Sequence, residues 1–173
     1  MGLSTSAAEQ TRDQLIQCFE NESKITLKVI RAIPTDKLNF KPHTKSMGMG
    51  ELVWHLIQAE QMFIGGMLHG AFGKETLPSD IPKEQPATTE AIAQSYEKLC
   101  MARIGELKAA RGEVLAKELN FHNFMIMPAI QFLQVSLNHS IHHRGQLSVY
   151  LRLVDAKVPS IYGPSADDNP FAK

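Results

Sequence analysis

Residues 130–154 of the chain, IQFLQVSLNHSIHHRGQLSVYLRLV, decide its fold. Apolar side chains recur there every three or four positions for about 25 residues, which is the period of an amphipathic helix. These side chains belong to Ile130, Leu133, Leu137, Leu147, Leu151 and Val154. Pro128 suits the first turn of such a helix, because proline lacks an N–H that this turn leaves unpaired. The pattern predicts a long helix from Pro128 to about Val154.

Three further segments with helical periodicity precede this one. Apolar residues at spacings of three and four predict a first helix over residues 5–33 and a second from Leu52 to about Met67. The sequence Thr88-Thr89-Glu90-Ala91 can cap a third helix, which is expected to end near residues 111–112. The sequence therefore predicts four long helices.

The connections between these helices are polar or rich in proline. Residues 74–86 contain three prolines and no periodicity, and they form the longest connection. Residues 113–127 are mixed and are expected to hold a short hairpin or an irregular turn, and residues 158–173 an extended tail. Four helical stripes are buried most simply in an all-α four-helix bundle, so we predict one such domain over residues 1–173.

Composition and charge argue against several classes of function. The chain has 173 residues, of which 43% are hydrophobic and 21% charged, as in an ordinary compact domain. Lys and Arg number 18 and Asp and Glu number 18, so the formal charge of zero disfavours binding to nucleic acid. No apolar stretch is long enough to span a membrane and no secretory signal is evident, which predicts a cytoplasmic protein without a membrane partner. Cys18 and Cys100 are expected to be unpaired thiols that fill the core.

The histidines suggest a site inside the bundle. His139 and His143 differ by about 40° around a helix and lie one turn apart, on one face with Gln146 and Tyr150. His55 lies on the apolar stripe of the second helix, so it too is expected to face the interior. Bundles assemble metal sites from side chains of facing helices, which predicts a divalent metal on these three histidines. A hydrogen-bonded network of core histidines is the alternative.

Three neutral histidines would leave coordination positions open for water or for an anionic ligand such as a thiolate. That is the donor set of a catalytic site, and neither cysteine is spaced as a fourth ligand. Zinc is the default ion, with nickel, manganese or iron also compatible with imidazole. His142 is a rival third ligand, although it is rotated about 100° from His143 and away from the stripe.

Several motifs make the chain resemble the DinB/YfiT-like family. They are residues 40–43 (FKPH), 50–56 (GELVWHL), 138–147 (NHSIHHRGQL) and 158–165 (VPSIYGPS). The resemblance covers nearly the whole chain and implies that His55, His139 and His143, rather than His142, are the metal ligands. It also implies an up-down-down-up bundle with a long crossing connection, and commonly a homodimer.

The resemblance implies a metal-dependent enzyme that activates a low-molecular-weight thiol for S-transfer, or water for hydrolysis, on a small-molecule substrate. Gln146 and Tyr150 are candidates for orienting that substrate. A non-catalytic metal- or small-ligand-binding dimer is the alternative hypothesis, and a purely structural bundle is a third.

Overall fold

The protein is described by a computed structural model that covers residues 2–73, 76–79 and 81–172. It contains helices α1 (Thr5–Arg31), α2 (Met49–His69), α3 (Thr89–Ala109), α4 (Gly112–Ala116) and α5 (Gln131–Leu153), a 3-10 turn (Thr35–Lys37), and strands β1 (Glu118–Phe121) and β2 (Met125–Pro128). The two strands form one antiparallel hairpin with Glu118 opposite Pro128. The predicted all-α fold with four long helices is confirmed, and the hairpin lies in the segment where one was expected.

Local chemistry sets the ends of the helices. The Thr88 hydroxyl accepts the N–H of Ala91 at 3.2 Å, so α3 begins with the predicted cap. At the start of α2 the Gly48 N–H donates to the Glu51 carboxylate at 2.7 Å. Helix α2 ends at His69, and the next residue, Gly70, has a φ of 77°, a left-handed conformation that glycine adopts without steric cost.

The four long helices follow the up-down-down-up arrangement. Helix α1 packs against α3 and α5, and α2 packs against the same two helices, so α1 and α2 occupy diagonal corners. Helices α1 and α5 run in one direction, and α2 and α3 both run in the other. The contacts that give these directions are Thr11 near Gln131 and Thr26–Arg144 for α1 and α5, His55–His143 and Phe63–Phe132 for α2 and α5, and Glu20–Lys108 and Arg31–Glu97 for α1 and α3. The connection between α2 and α3 is therefore the long crossing one.

Two local predictions are wrong, and one short helix was missed. Helix α5 begins at Gln131 and not at Pro128, because Pro128 ends β2 and the next two N–H groups bond to the carbonyls of Lys117 and Leu115. The short helix α4 was not predicted. Cys18 is exposed rather than part of the core, since at about 100° per residue it turns away from the buried Phe19.

Among the described residues, the carboxyl group of Glu60 lies in the core. Glu60 of α2 is 2% exposed and accepts hydrogen bonds from the Ser140 hydroxyl at 3.0 Å, the Cys100 thiol at 3.3 Å and the Tyr96 hydroxyl at 3.4 Å. Burial raises the pKa of Glu60 to about 7, although these three donors oppose the shift. Glu60 of α2 is thus hydrogen-bonded to both α3 and α5, and its carboxyl group is protonated below neutral pH.

The C-terminal tail lies along α1 without helix or strand. Asp168 accepts the Ser160 N–H at 2.8 Å and pairs with Lys28 of α1 at 2.9 Å, and these contacts lower its pKa to about 2. Arg144, which is 1% exposed, donates to Glu22 and to the Tyr162 hydroxyl and so ties α5 to both α1 and the tail. Among the helices of the described residues, none is long and apolar enough to cross a membrane.

Candidate metal centre

Three histidines meet between α2 and α5. One ring nitrogen each of His55, His139 and His143 lies within 4.8 Å of the other two. The Nε2 atoms of His139 and His143 are 3.1 Å apart, and the His55 ring lies 5.0 Å and 4.9 Å from their rings. All three residues are half-buried. The structure therefore brings together the three histidines that the sequence singled out, and His142 is not in the cluster.

The cluster favours neutral imidazoles on α5. Burial is the main cause that lowers the pKa of His139 to about 4, with charge repulsion from His143 and His55 adding to it. Burial also lowers the pKa of His143. At neutral pH both rings are therefore uncharged, and each has a nitrogen lone pair that can bind a metal ion.

Gln146 sets the orientation of His143. The Nδ1–H of His143 donates to Gln146 Oε1 at 2.8 Å, and Gln146 Nε2 in turn donates to Nε2 of the exposed His142 at 3.2 Å. With the proton held on Nδ1, the lone pair of His143 Nε2 points into the cluster. Gln146, which the sequence suggested as a substrate contact, thus touches a cluster histidine directly.

Tyr150 lies farther along the same face of α5. Its hydroxyl donates to the Met47 carbonyl oxygen at 3.5 Å, and its ring packs edge-on against Phe40 at 6.2 Å. The predicted substrate-orienting hydroxyl is therefore turned toward the loop before α2. His43 lies in that loop, exposed, with its Nδ1 accepting the Lys45 N–H at 3.1 Å.

The donor set fits a divalent cation. The two facing Nε2 atoms of His139 and His143 repel each other unless a proton or a cation lies between their lone pairs. His139 Nδ1 is buried and has no hydrogen-bond partner among the described residues, and the other ring nitrogen of His139 contacts His143 Nε2. Three imidazoles without a carboxylate or thiolate suit zinc or nickel, and also accept manganese or iron.

A cavity of about 390 Å³ adjoins the cluster at His55. Helix α2, the crossing connection and the turn of the hairpin line it, and the residues are His55, Gln58, Ala59, Met62, Phe72, Gly73, Leu77 and His122. His122 has a φ of 51° and lies in the left-handed turn between β1 and β2. The cavity thus reaches the cluster at His55, and His139 and His143 are not among its described lining residues.

Only some of the residues that line this cavity could be predicted from the sequence. Ala59 and Met62 follow His55 by one and two helical turns, so helical spacing alone places them on its face. Phe72 and Leu77 lie in a connection without periodicity, and His122 lies in a loop. Nothing in the local pattern indicates that these loop residues fold against α2.

Comparisons with known proteins agree with the fold. The sequence model of the DinB family matches residues 4–170. The chain is 26% identical over 167 residues to the uncharacterized protein YrdA of Bacillus subtilis strain 168, covering 92% of each chain. It is 25% identical over 143 residues to the uncharacterized protein YjoA of the same organism, covering 81% of this chain and 88% of that one.

Two solved structures share the architecture. A DinB-like protein from Bacillus cereus ATCC 10987 has a TM-score of 0.71 at 24% identity, covering 87% of this chain and 97% of that chain. The DinB-like protein YjoA from Bacillus subtilis has a TM-score of 0.69 at 22% identity, covering 90% and 99%. At these identities the likeness concerns the fold alone.

Proposed function

The chain belongs to the DinB family, and from this premise we propose that it is a metal-dependent enzyme acting on a small molecule. His55, His139 and His143 would hold one divalent ion. The ion would supply Lewis-acid activation, which lowers the pKa of a thiol or of water and yields a nucleophile near neutral pH. The proposed reaction is transfer of a low-molecular-weight thiol to an electrophile, or hydrolysis.

The observation that carries the proposal is the convergence of three ring nitrogens within 4.8 Å. Structural metal sites usually have four protein ligands, whereas three histidines leave a position for a substrate or water. Within the described residues, no carboxylate or thiol joins the three histidines as a fourth metal-ligating group. The adjoining cavity supplies space for a substrate at that position.

The protein's own residues would prepare the site in two ways. Gln146 holds the proton on His143 Nδ1 and thereby keeps Nε2 directed into the cluster. Phe63 packs against the His139 ring at 6.0 Å and covers it on the core side. Both contacts restrict the rings before any ligand arrives.

Metal content is the direct test. Untagged wild-type protein, His143→Ala and His142→Ala would be supplied with zinc, nickel or manganese and measured by elemental mass spectrometry. We expect about one equivalent in the wild type and in His142→Ala, and loss of the ion in His143→Ala. Absence of metal from the wild type after supplementation would refute the metal centre.

Activity is tested with the metal-loaded protein. Electrophile panels with and without a low-molecular-weight thiol separate S-transfer, which consumes thiol, from hydrolysis, which does not. His55→Ala should abolish either activity together with metal binding. Stoichiometric metal without turnover in both panels would instead support the non-catalytic binding module.

A further inference from the structure

We propose that the cavity beside His55 is a subsite for an uncharged aromatic or branched aliphatic group of the small molecule whose reactive end lies at the histidine cluster. The proposal rests on the proposed function, because the cluster gives the reactive end its place. It adds the chemical class of the substrate, which the histidines alone leave open.

The size and position of the cavity support this assignment. Its volume of about 390 Å³ falls within the roughly 300–1,000 Å³ typical of small-molecule sites. His55 lies at one end, and Ala59 and Met62 continue the lining along the same face of α2. A group that extends from the cluster along α2 therefore enters this space.

The cavity wall contains one phenylalanine, Phe72, which is partly buried and packs against the core. Phe72 packs against Phe132 at 4.7 Å and against Phe121 at 5.0 Å, and Phe121 and Phe132 both contact Phe63. Aromatic rings packed edge to face offer apolar surface to a further ring. Burial of an apolar group against this wall is favourable.

The described lining of the cavity carries no formal charge. None of the described residues that line it is Asp, Glu, Lys or Arg. Its polar members are His55 and the exposed Gln58 and His122. A buried charge without a partner is costly, so a charged group in this space would be disfavoured.

A second cavity, which has charged lining residues, serves as a control for the one beside His55. It measures about 240 Å³, lies between α1 and α3 away from the histidines, and has Glu20, Lys24 and Glu97 among its lining residues. It is also lined by Met101 and Ile104, which serve as internal controls for Met62 and Leu77.

The connection that forms one wall is held in place by a buried arginine. Arg103, which is 2% exposed, donates to the Thr76 carbonyl oxygen at 3.0 Å and to the Gln61 side chain at 2.9 Å. Gly65 has no side chain that would obstruct this close approach. The described part of the wall is thus fixed to α2 and α3, and the subsite exists before the ligand binds.

The first experiment detects the subsite without any metal. Benzyl alcohol would be titrated into metal-free protein that carries ¹³C-labelled methionine methyl groups, with NMR as the readout. We expect the Met62 methyl signal to shift and the Met101 signal to stay. A Met62 signal that does not move, or moves no more than that of Met101, overturns the proposal.

The second experiment couples the subsite to the cluster. Calorimetry would compare binding of benzyl mercaptan and 2-mercaptoethanol to the zinc-loaded protein. Burial of the ring should make benzyl mercaptan bind about tenfold more tightly or better. Equal affinities would overturn the proposal.

Variants test whether the preference for benzyl mercaptan arises in the cavity beside His55. Ala59→Leu fills the cavity and Leu77→Asp places a charge in its wall, and each should reduce the preference for benzyl mercaptan while zinc content stays unchanged. Ile104→Asp is the matched control in the second cavity and should retain the preference. Retention of the preference in both Ala59→Leu and Leu77→Asp would overturn the proposal. Failure to bind zinc with a shifted Met62 signal would refute the metal centre while supporting the apolar subsite.

Discussion

At the scale of single residues, Gln146 contacts two histidines at once. Gln146→Met keeps the approximate length of the side chain and removes the acceptor for the His143 Nδ1–H. We expect zinc affinity to fall about 10- to 100-fold, as is typical when a hydrogen-bond partner of a metal ligand is lost. Competition with a chromophoric chelator measures this affinity.

His142→Ala is the matched control for Gln146→Met. His142 accepts a hydrogen bond from the Gln146 amide and packs edge-on against the His143 ring at 4.9 Å, but it is not one of the three grouped ligands. Its loss should weaken zinc binding much less than the loss of Gln146. Equal affinities for wild type and Gln146→Met would show that the hydrogen bond does not orient the ligand.

Glu60 makes stability depend on pH. Burial raises its pKa from 4.5 to about 7, so the folded state holds a proton that the unfolded state releases. The resulting stabilisation is complete below about pH 4.5 and disappears as pH rises through about 7. The shift corresponds to about 3 kcal/mol of unfolding free energy.

Glu60→Gln should remove this dependence, because the amide is uncharged throughout. We expect the unfolding free energy of the variant, relative to wild type, to increase between pH 4.5 and pH 8. Urea denaturation of the metal-free proteins at several pH values measures the difference. Parallel pH profiles for the two proteins would contradict a protonated Glu60.

The histidine cluster was predictable because helical spacing fixes which residues share a face. The i, i+4 spacing of His139 and His143 and the stripe position of His55 sufficed to place all three together. Spacing did not assign Gln146, because a shared face does not specify a hydrogen-bond partner. It also left His142 open as a ligand until the resemblance to a family was considered.

At the scale of elements, Gly65 permits the crossing connection to lie directly on α2. A Cβ atom at this position would overlap the Thr76 carbonyl oxygen and crowd Arg103 Nη2. Gly65→Ala should therefore destabilise the fold by about 1–3 kcal/mol, as overpacking in a tight interior does. Urea denaturation tests this value.

Gly105→Ala in α3 is the control for the same substitution. Apart from its chain neighbours and the backbone of its own helix, no atom of the described residues lies within 4 Å of a Cβ at position 105. Alanine there should stabilise the protein by about 0.5–1 kcal/mol, because it only reduces the flexibility of the unfolded chain. A similar gain at both positions would show that the connection does not press against Gly65.

Helix prediction worked where apolar periodicity was long and unbroken. The weaker points were the start of α5 and the short helix α4, whereas the hairpin lies where a hairpin or irregular turn was expected. At Pro128 two interpretations compete, because proline suits the first turn of a helix and also the end of an edge strand. Long-range hydrogen bonds from residues after Pro128 to Lys117 and Leu115 decide between them, and these are invisible in local spacing.

At the scale of the whole molecule, Asp168 fastens the tail to α1. Asp168→Ala removes the acceptor for both Lys28 and the Ser160 N–H. Tyr162 still bonds to Glu22 and Arg144, so we expect the tail to loosen near Ser160 and trypsin to cleave several-fold faster after the exposed Lys157. Asp36→Ala, at another exposed acidic residue, should leave the cleavage rate unchanged, and equal rates in both variants would contradict this role.

The assembly of copies stays a prediction. The resemblance implies a homodimer, and the described surface exposes Phe124 and Ile126 at the hairpin.

The direction of the four long helices follows from contacts between residues far apart in the chain. Periodicity predicted the four long helices, and only the resemblance predicted their directions in the bundle.

The division of the histidines between two helices has a consequence for the order of folding. His139 and His143 lie one turn apart on α5, so they come together as soon as that turn forms, within about a microsecond. His55 joins them only after a long loop has closed, which is entropically costly and slower. An ion present during refolding would therefore bind His139 and His143 first and stabilise one turn of α5. It would link α5 to α2 only later, when His55 joins.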